Sequence, residues 1–157
     1  MPCPYNAKEE ADKILEEYDN ICKELNIVCF LLFGTCLGLF RDKDYIEGDN
    51  DIDVGAVCSN DNFKKLADRM VKNGFIQESK DSQHFYKYGI LLDIWRISKK
   101  PLSLETIIYN GKIYKVPSPI EEYLEKTYYG DWKNKKYVKG SDEVFKNMFR
   151  EEETLNA

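Results

Sequence analysis

Residues 34–55 read GTCLGLFRDKDYIEGDNDIDVG, and the two ends of this stretch decide how the rest of the chain is taken. At its far end, Asp51-Ile52-Asp53-Val54 alternates acidic and apolar side chains. A β-strand sends successive side chains to opposite faces, so Asp51 and Asp53 share one face while Ile52 and Val54 enter a core. Two carboxylates held side by side repel each other, and burial beside a core costs them their hydration. A divalent cation relieves both penalties, and Mg²⁺ (or Mn²⁺) suits a few carboxylates joined by phosphate oxygens and water. The competing account is a solvated acidic edge strand. At the near end, an apolar run stops at Gly34-Thr35. A strand running into a helix start leaves backbone N–H groups that can hold an anion, although the same pair also fits a simple turn. Arg41 follows, with a planar fork suited to phosphate, or alternatively to a pair with Asp42 or Asp44.

Upstream, Ala11, Ile14, Leu15, Tyr18, Ile21, Cys22 and Leu25 recur at helical spacing and predict a helix over 7–26, opened by an Asn6/Glu9 capping box and ended at Asn26. Ile27 to Phe33 is continuously apolar and rich in strand formers, so it reads as a central strand buried on both faces. A short helical turn through Cys36–Phe40 and a polar loop over 42–50 then lead to the Asp51–Val57 strand.

Downstream, Asn60 is placed to cap a helix over 61–73 that buries Phe63, Leu66, Ala67 and Met70 and stops at Gly74. Short strands follow at 75–78 and 84–88. Gly89 separates the second from Ile90–Ile97, an apolar strand interrupted by one acid, Asp93. An aspartate inside a strand is disfavoured by propensity and by burial. A cation shared with Asp51 and Asp53 would give it a partner, and pairing with Arg96 is the alternative. Asn110-Gly111 between two alternating runs marks a hairpin. Pro117-Ser118-Pro119 then opens a helix, with Ser118 as the cap, that runs to Tyr128 or Tyr129 and stops at Gly130. A lysine-rich loop (Lys133, Lys135, Lys136, Lys139) and a charged helix over 142–153 end the reading. His84 has no visible partner and reads as structural or surface, while Trp95, Tyr128, Tyr129 and Trp132 read as core, with base stacking as the alternative.

The 157 residues fit one domain over 1–157 with strands and helices first alternating and strands then clustering, which is an α/β (α+β) pattern. A net charge of −5 argues against nucleic acid as a partner. The five cysteines lack a CxxC pair and share the chain with one histidine, which disfavours a zinc site and suits free thiols in a reducing compartment. The longest apolar run is too short to span a bilayer and the first residues lack signal-peptide features, so a cytoplasmic location is expected.

Gly34-Thr35 … Gly38, Arg41, then Ile46 … Asp49-Asn50-Asp51-Ile52-Asp53 resembles the signature of the LicD family, relatives of the fukutins within the nucleotidyltransferase-fold superfamily. Pro117-Ser118-Pro119 … Tyr123-Leu124 … Tyr129-Gly130-Asp131-Trp132 resembles a later segment of the same family. The family's Trp-Asp-Asp-Asp run stands here as Gly48-Asp49-Asn50-Asp51. The resemblance implies a nucleotidyltransferase-like mixed sheet flanked by helices. It also implies transfer of a phospho-alcohol, such as phosphocholine, from a CDP-activated donor to a glycan hydroxyl or small-molecule acceptor. It implies Asp51 and Asp53 as metal-binding catalytic residues and Asp93 as a third carboxylate, ligating the ion or taking the acceptor's proton. Gly34, Thr35 and Arg41 would hold donor phosphate, and Asp49 would assist from behind. The same residues would serve nucleotidyl transfer, moving NMP from an NTP, or an inactive nucleotide-binding protein. Asp49-x-Asp51-x-Asp53 also has calcium-loop spacing, but Gly55 falls one place late and Asn60 stands where the bidentate glutamate belongs.

Overall fold

The apolar spacing of residues 8–24 becomes the first helix, α1 (Lys8–Glu24), and Ala11, Ile14, Leu15, Tyr18, Ile21 and Cys22 are all buried along one side of it. In the computed structural model, which describes residues 2–99, 103–128 and 131–134, this helix is followed by β1 (Val28–Leu31), α2 (Phe33–Arg41), β2 (Asp51–Val57) and α3 (Asn60–Lys72). Then come β3 (Ile76–Gln77), β4 (His84–Lys87), β5 (Ile90–Ile97), β6 (Leu104–Tyr109), β7 (Lys112–Pro117) and α4 (Ile120–Thr127). The helix expected over 142–153 lies outside the described residues, as do Tyr129, Gly130, Lys135, Lys136 and Lys139.

Five strands form a mixed sheet in the order β1-β2-β5-β4-β3, and β6 pairs with β7 in a small second sheet. Strands β2 and β5 run parallel, with Asp53 beside Asp93 and Gly55 beside Trp95; the other pairs are antiparallel. Ile52, Val54, Ala56, Leu92 and Ile94 are nearly inaccessible on one face of that central pair, so the alternation places Asp51, Asp53 and Asp93 together on the other. Helix α1 packs on α3 and β1, while α2 packs on β2 and α4. The α/β expectation holds, with four helices among the described residues.

Several local expectations are corrected. The apolar run 27–33 is not a central strand: only Val28–Leu31 extend, at the end of the strand order, and Phe33 already begins α2. The apolar residues continue because Leu32, the cap of α2, is fully buried and Phe33 packs against the core, and Gly34-Thr35 sit inside the first turn of that helix. Asn6 and Glu9 form no capping box; Ala7 holds the cap position of α1 without a side-chain bond, and Asn6 donates to Cys3 Sγ at the end of a 3-10 turn. Helix α3 is capped by Ser59, whose Oγ accepts from Asn62 N–H at 3.2 Å, one place before the residue expected. Pro119, not Ser118, caps α4, and the Ile120 N–H is taken by Glu105 Oε2 at 2.7 Å. The Asn110-Gly111 turn forms as read, both residues at positive φ. Cys3, Cys22, Cys29, Cys36 and Cys58 are all free thiols, and three of them are buried.

Candidate metal and phosphate site

Strand alternation puts Asp51 and Asp53 on one face, and the parallel register brings Asp93 level with Asp53. One carboxylate oxygen from each of the three lies within 4.8 Å of the others. Asp53 and Asp93 are each 7% exposed and lie on the two central strands, so the group is not the solvated edge that was the competing account. The charge is costly as it stands. Burial, then the charges of Asp51 and Asp93, push Asp53 well above the usual carboxylate range, against the opposing bond from Trp95 Nε1 to Asp53 Oδ1 at 3.2 Å. Burial also raises Asp93, offset by Gln83 and His84. Asp51 is raised by burial and held down by Asp49 and His84. Three hard oxygen donors, mutually close and short of water, are the donor set a divalent cation such as Mg²⁺ or Mn²⁺ would satisfy.

Asp49 belongs to the same cluster. Burial and the neighbouring Asp51 push it up to about 7. Its carboxyl packs against Gly34 where a Cβ would otherwise stand, so any side chain at 34 would displace it. Gly34 therefore has a steric role: it admits Asp49 to the first turn of α2.

Thr35 has a positional role too. Its Oγ1 accepts the Asp53 N–H at 2.9 Å, fixing the β2 backbone against α2, and it is 2% exposed. Thr35→Val keeps the shape and orphans a buried N–H, at a cost of about 1–3 kcal/mol. At roughly 2–4 °C per kcal/mol for a chain of this size, Tm should fall by several degrees, with ion affinity falling as well; an unchanged Tm in a melting experiment refutes the role. The start of α2 is held from elsewhere. Phe33 has φ +48°, an uncommon value for a bulky residue, and its N–H donates to Tyr123 Oη of α4 at 2.9 Å. Its ring lies 5.2 Å from that of Trp95.

Arg41, the last residue of α2, is engaged by neighbouring groups. Its Nε and Nη2 each reach an Asp42 carboxylate oxygen at 2.8 Å, and Nη1 donates to the Trp132 carbonyl. The Asp42 pair anticipated as its alternative is present, though the Arg41 side chain is only 11% exposed. To reach phosphate, Arg41 would exchange these partners. Arg96 donates to the Cys58 carbonyl at 3.1 Å, and Asp93 is met instead by Gln83 Nε2 on Oδ1 and by His84 Nε2, 3.6 Å from Oδ2. His84, Gln83 and Trp95 thus adjoin the site, whereas Tyr128 and Trp132 are buried as read.

The model of the LicD/FKTN/FKRP nucleotidyltransferase domain matches residues 26–109, a little over half of the chain, including Gly34, Thr35, Arg41, Asp49, Asp51, Asp53, His84 and Asp93, while Tyr123 and Trp132 lie beyond it. The chain belongs to the LicD family. No curated protein matches it. As a LicD-family nucleotidyltransferase domain it is transferase-like, and its matched segment begins just before β1 and ends with β6. No helix among the described residues of this LicD domain is long and apolar enough to cross a membrane.

Proposed function

We propose that this LicD domain transfers a phospho-alcohol, phosphocholine or a similar group, from a CDP-activated donor to a glycan hydroxyl. The observation that carries the reading is the convergence of Asp51, Asp53 and Asp93 within 4.8 Å, with Asp53 and Asp93 nearly covered. Mg²⁺ or Mn²⁺, when bound there, would neutralise the donor's diphosphate. Asp51 and Asp53 would hold it, and Asp93 would either complete its ligands or take the proton of the attacking hydroxyl. A bond forms between the acceptor oxygen and the alcohol-bearing phosphorus. The bond from that phosphorus to the bridging oxygen breaks, and CMP leaves with the electron pair. Such transfer needs positioning and charge neutralisation more than a protein nucleophile. Gly34 and Thr35, at the start of α2, would steer the diphosphate, with Arg41 joining once it lets go of Asp42.

Thermal-shift titrations with CDP-choline, CDP-ribitol, CTP, ATP and UTP, each with and without Mg²⁺, test the donor class. A CDP-alcohol should stabilise most, and only with the ion present. Release of CMP from it supports phospho-alcohol transfer. Pyrophosphate released from an NTP would assign nucleotidyl transfer, and binding without any turnover would leave a nucleotide-binding protein.

A further inference from the structure

His84 has a use in this cleft that the aspartates alone do not supply. Strand β4 pairs antiparallel with β5 so that His84 sits directly across from Asp93. Its ring has two neighbours: Nδ1 lies 2.7 Å from Glu78 Oε2, and Nε2 lies 3.6 Å from Asp93 Oδ2. Glu78 is itself held, accepting from Tyr86 Oη at 3.3 Å, and its own N–H donates to the His84 carbonyl at 2.9 Å. The shorter contact, with a full carboxylate, turns the Nδ1 side of the ring toward Glu78 and leaves Nε2 facing Asp93. Nε2 faces the Asp93 oxygen across a gap longer than a hydrogen bond. A positive charge there, a proton on Nε2 or a metal ion, would join the two. Two donors each about 2.1 Å from one ion stand about 3.0–3.5 Å apart, so a shift of a few tenths of an ångström would seat both on it. A carboxylate on the far ring nitrogen is the usual support of a metal-bound histidine.

We propose that His84 ligates, through Nε2, the divalent ion gathered by Asp51, Asp53 and Asp93, and that the centre therefore favours Mn²⁺, Co²⁺ or Zn²⁺ over Mg²⁺. The inference rests on the aspartate centre proposed above and goes further in naming a nitrogen donor. The three aspartate oxygens form their group without the imidazole. The ring joins from the β4 side, through the ion next to the oxygen it already faces. An imidazole adds affinity for borderline ions and little for Mg²⁺, which prefers all-oxygen shells. Glu78 serves as a positioning residue, holding the tautomer and the ring plane.

The chain has one histidine, which makes the test direct. In tag-free protein labelled with ¹⁵N-histidine, every imidazole nitrogen signal belongs to His84. Titration with Zn²⁺ should move the Nε2 resonance to a metal-bound position in proportion to occupancy, with Nδ1 remaining protonated. In calorimetry, His84→Gln should weaken Zn²⁺ and Co²⁺ by about tenfold or more while Mg²⁺ changes by less than about twofold. Glu78→Gln should weaken Zn²⁺ by about 10–100-fold. Metal-free melting curves of both variants establish that each folds, so the ion-specific losses are read on folded protein. Zn²⁺ binding at parental strength with an unmoved Nε2 signal overturns the proposal while leaving the aspartate centre standing. An equal loss of Zn²⁺ and Mg²⁺ in His84→Gln also overturns it, since His84 would then act only by orienting Asp93. If no ion binds, or if Asp51→Asn leaves Zn²⁺ affinity intact, the aspartate centre falls and the histidine ligand falls with it.

Discussion

Asp53→Asn is expected to abolish turnover and, in metal-free protein, to raise Tm. Both effects come from one carboxylate. Asp53 is 7% exposed, lies between Asp51 and Asp93, and is pushed well above the ordinary carboxylate range by burial and by those two charges. Holding it ionised at neutral pH therefore costs folding free energy, at about 1.4 kcal/mol for each pKa unit of displacement. Asparagine is nearly isosteric, still accepts from Trp95 Nε1 through its amide oxygen, and can donate to a flanking carboxylate. Removing the charge should raise the metal-free Tm by several degrees, at roughly 2–4 °C per kcal/mol. Activity should move the other way. Losing one anionic ligand from a three-carboxylate centre should lower kcat/KM by about 10³-fold or more, the scale of losing a charge-stabilising group in a closed site. Paired melting and turnover measurements check this, and a variant as active as the parent would exclude Asp53 from the metal centre. A core role for this residue predicts the opposite stability change, so the sign of the Tm shift is itself diagnostic.

The pH dependence of stability should run downhill across the acidic range when no ion is present. Asp49 has a native value of about 7, against an ordinary value of 3.8. Asp51, Asp53 and Asp93 are raised as well. Below about pH 4 these groups are protonated in both states, and the site costs nothing. Above about 4 the native state binds more protons than the unfolded chain, so stability falls with each step of rising pH; the Asp49 share of that fall ends above about 7. Depressed, ion-paired carboxylates would give the opposite slope. Denaturant titrations at stepped pH should show the native state losing on the order of a few kcal/mol over this window, and Asp53→Asn should flatten the curve. A saturating divalent cation should reverse the trend, because it competes with protons for the same oxygens. At an excess of 100-fold over Kd it adds about 2.7 kcal/mol near neutral pH. A flat profile without metal would mean that the cluster is better hydrated than its burial implies.

The carboxylate pair was legible because strand alternation is a local rule: Asp51-Ile52-Asp53-Val54 can be sorted into faces with no knowledge of neighbours. Asp93 was legible as an anomaly, an acid inside an apolar strand. Its meeting with Asp53 depends on a parallel pairing 40 positions apart, which no local pattern specifies. His84 was within reach. Tyr88-Gly89 forms a two-residue turn, both at positive φ, and counting outward from it pairs residue 84 with residue 93. Read as a simple break between strands, the turn gives no register, and the histidine is left without a partner. The Thr35 and Gly34 roles were hidden for another reason. Both depend on how closely α2 approaches β2 and the loop carrying Asp49, a distance set by packing. The capping errors at Ser59 and Pro119 are shifts of one position, within the usual fraying of helix ends. The run 27–33 misled because a buried helix start and a buried strand share the same composition.

The hydroxyl of Tyr123 also bears on where this protein can be cut. It anchors the strained first residue of α2 from a helix that lies beyond the matched segment, just as Tyr18, ahead of that segment, donates to the Gly55 carbonyl in the central strand at 2.8 Å. A recombinant fragment trimmed to residues 26–109 would shed both clasps, together with β7, the strand that pairs with β6 among the described residues. The stretch that sequence comparison recognises is thus narrower than the unit able to stand by itself, and workable boundaries must reach back through α1 and forward past α4.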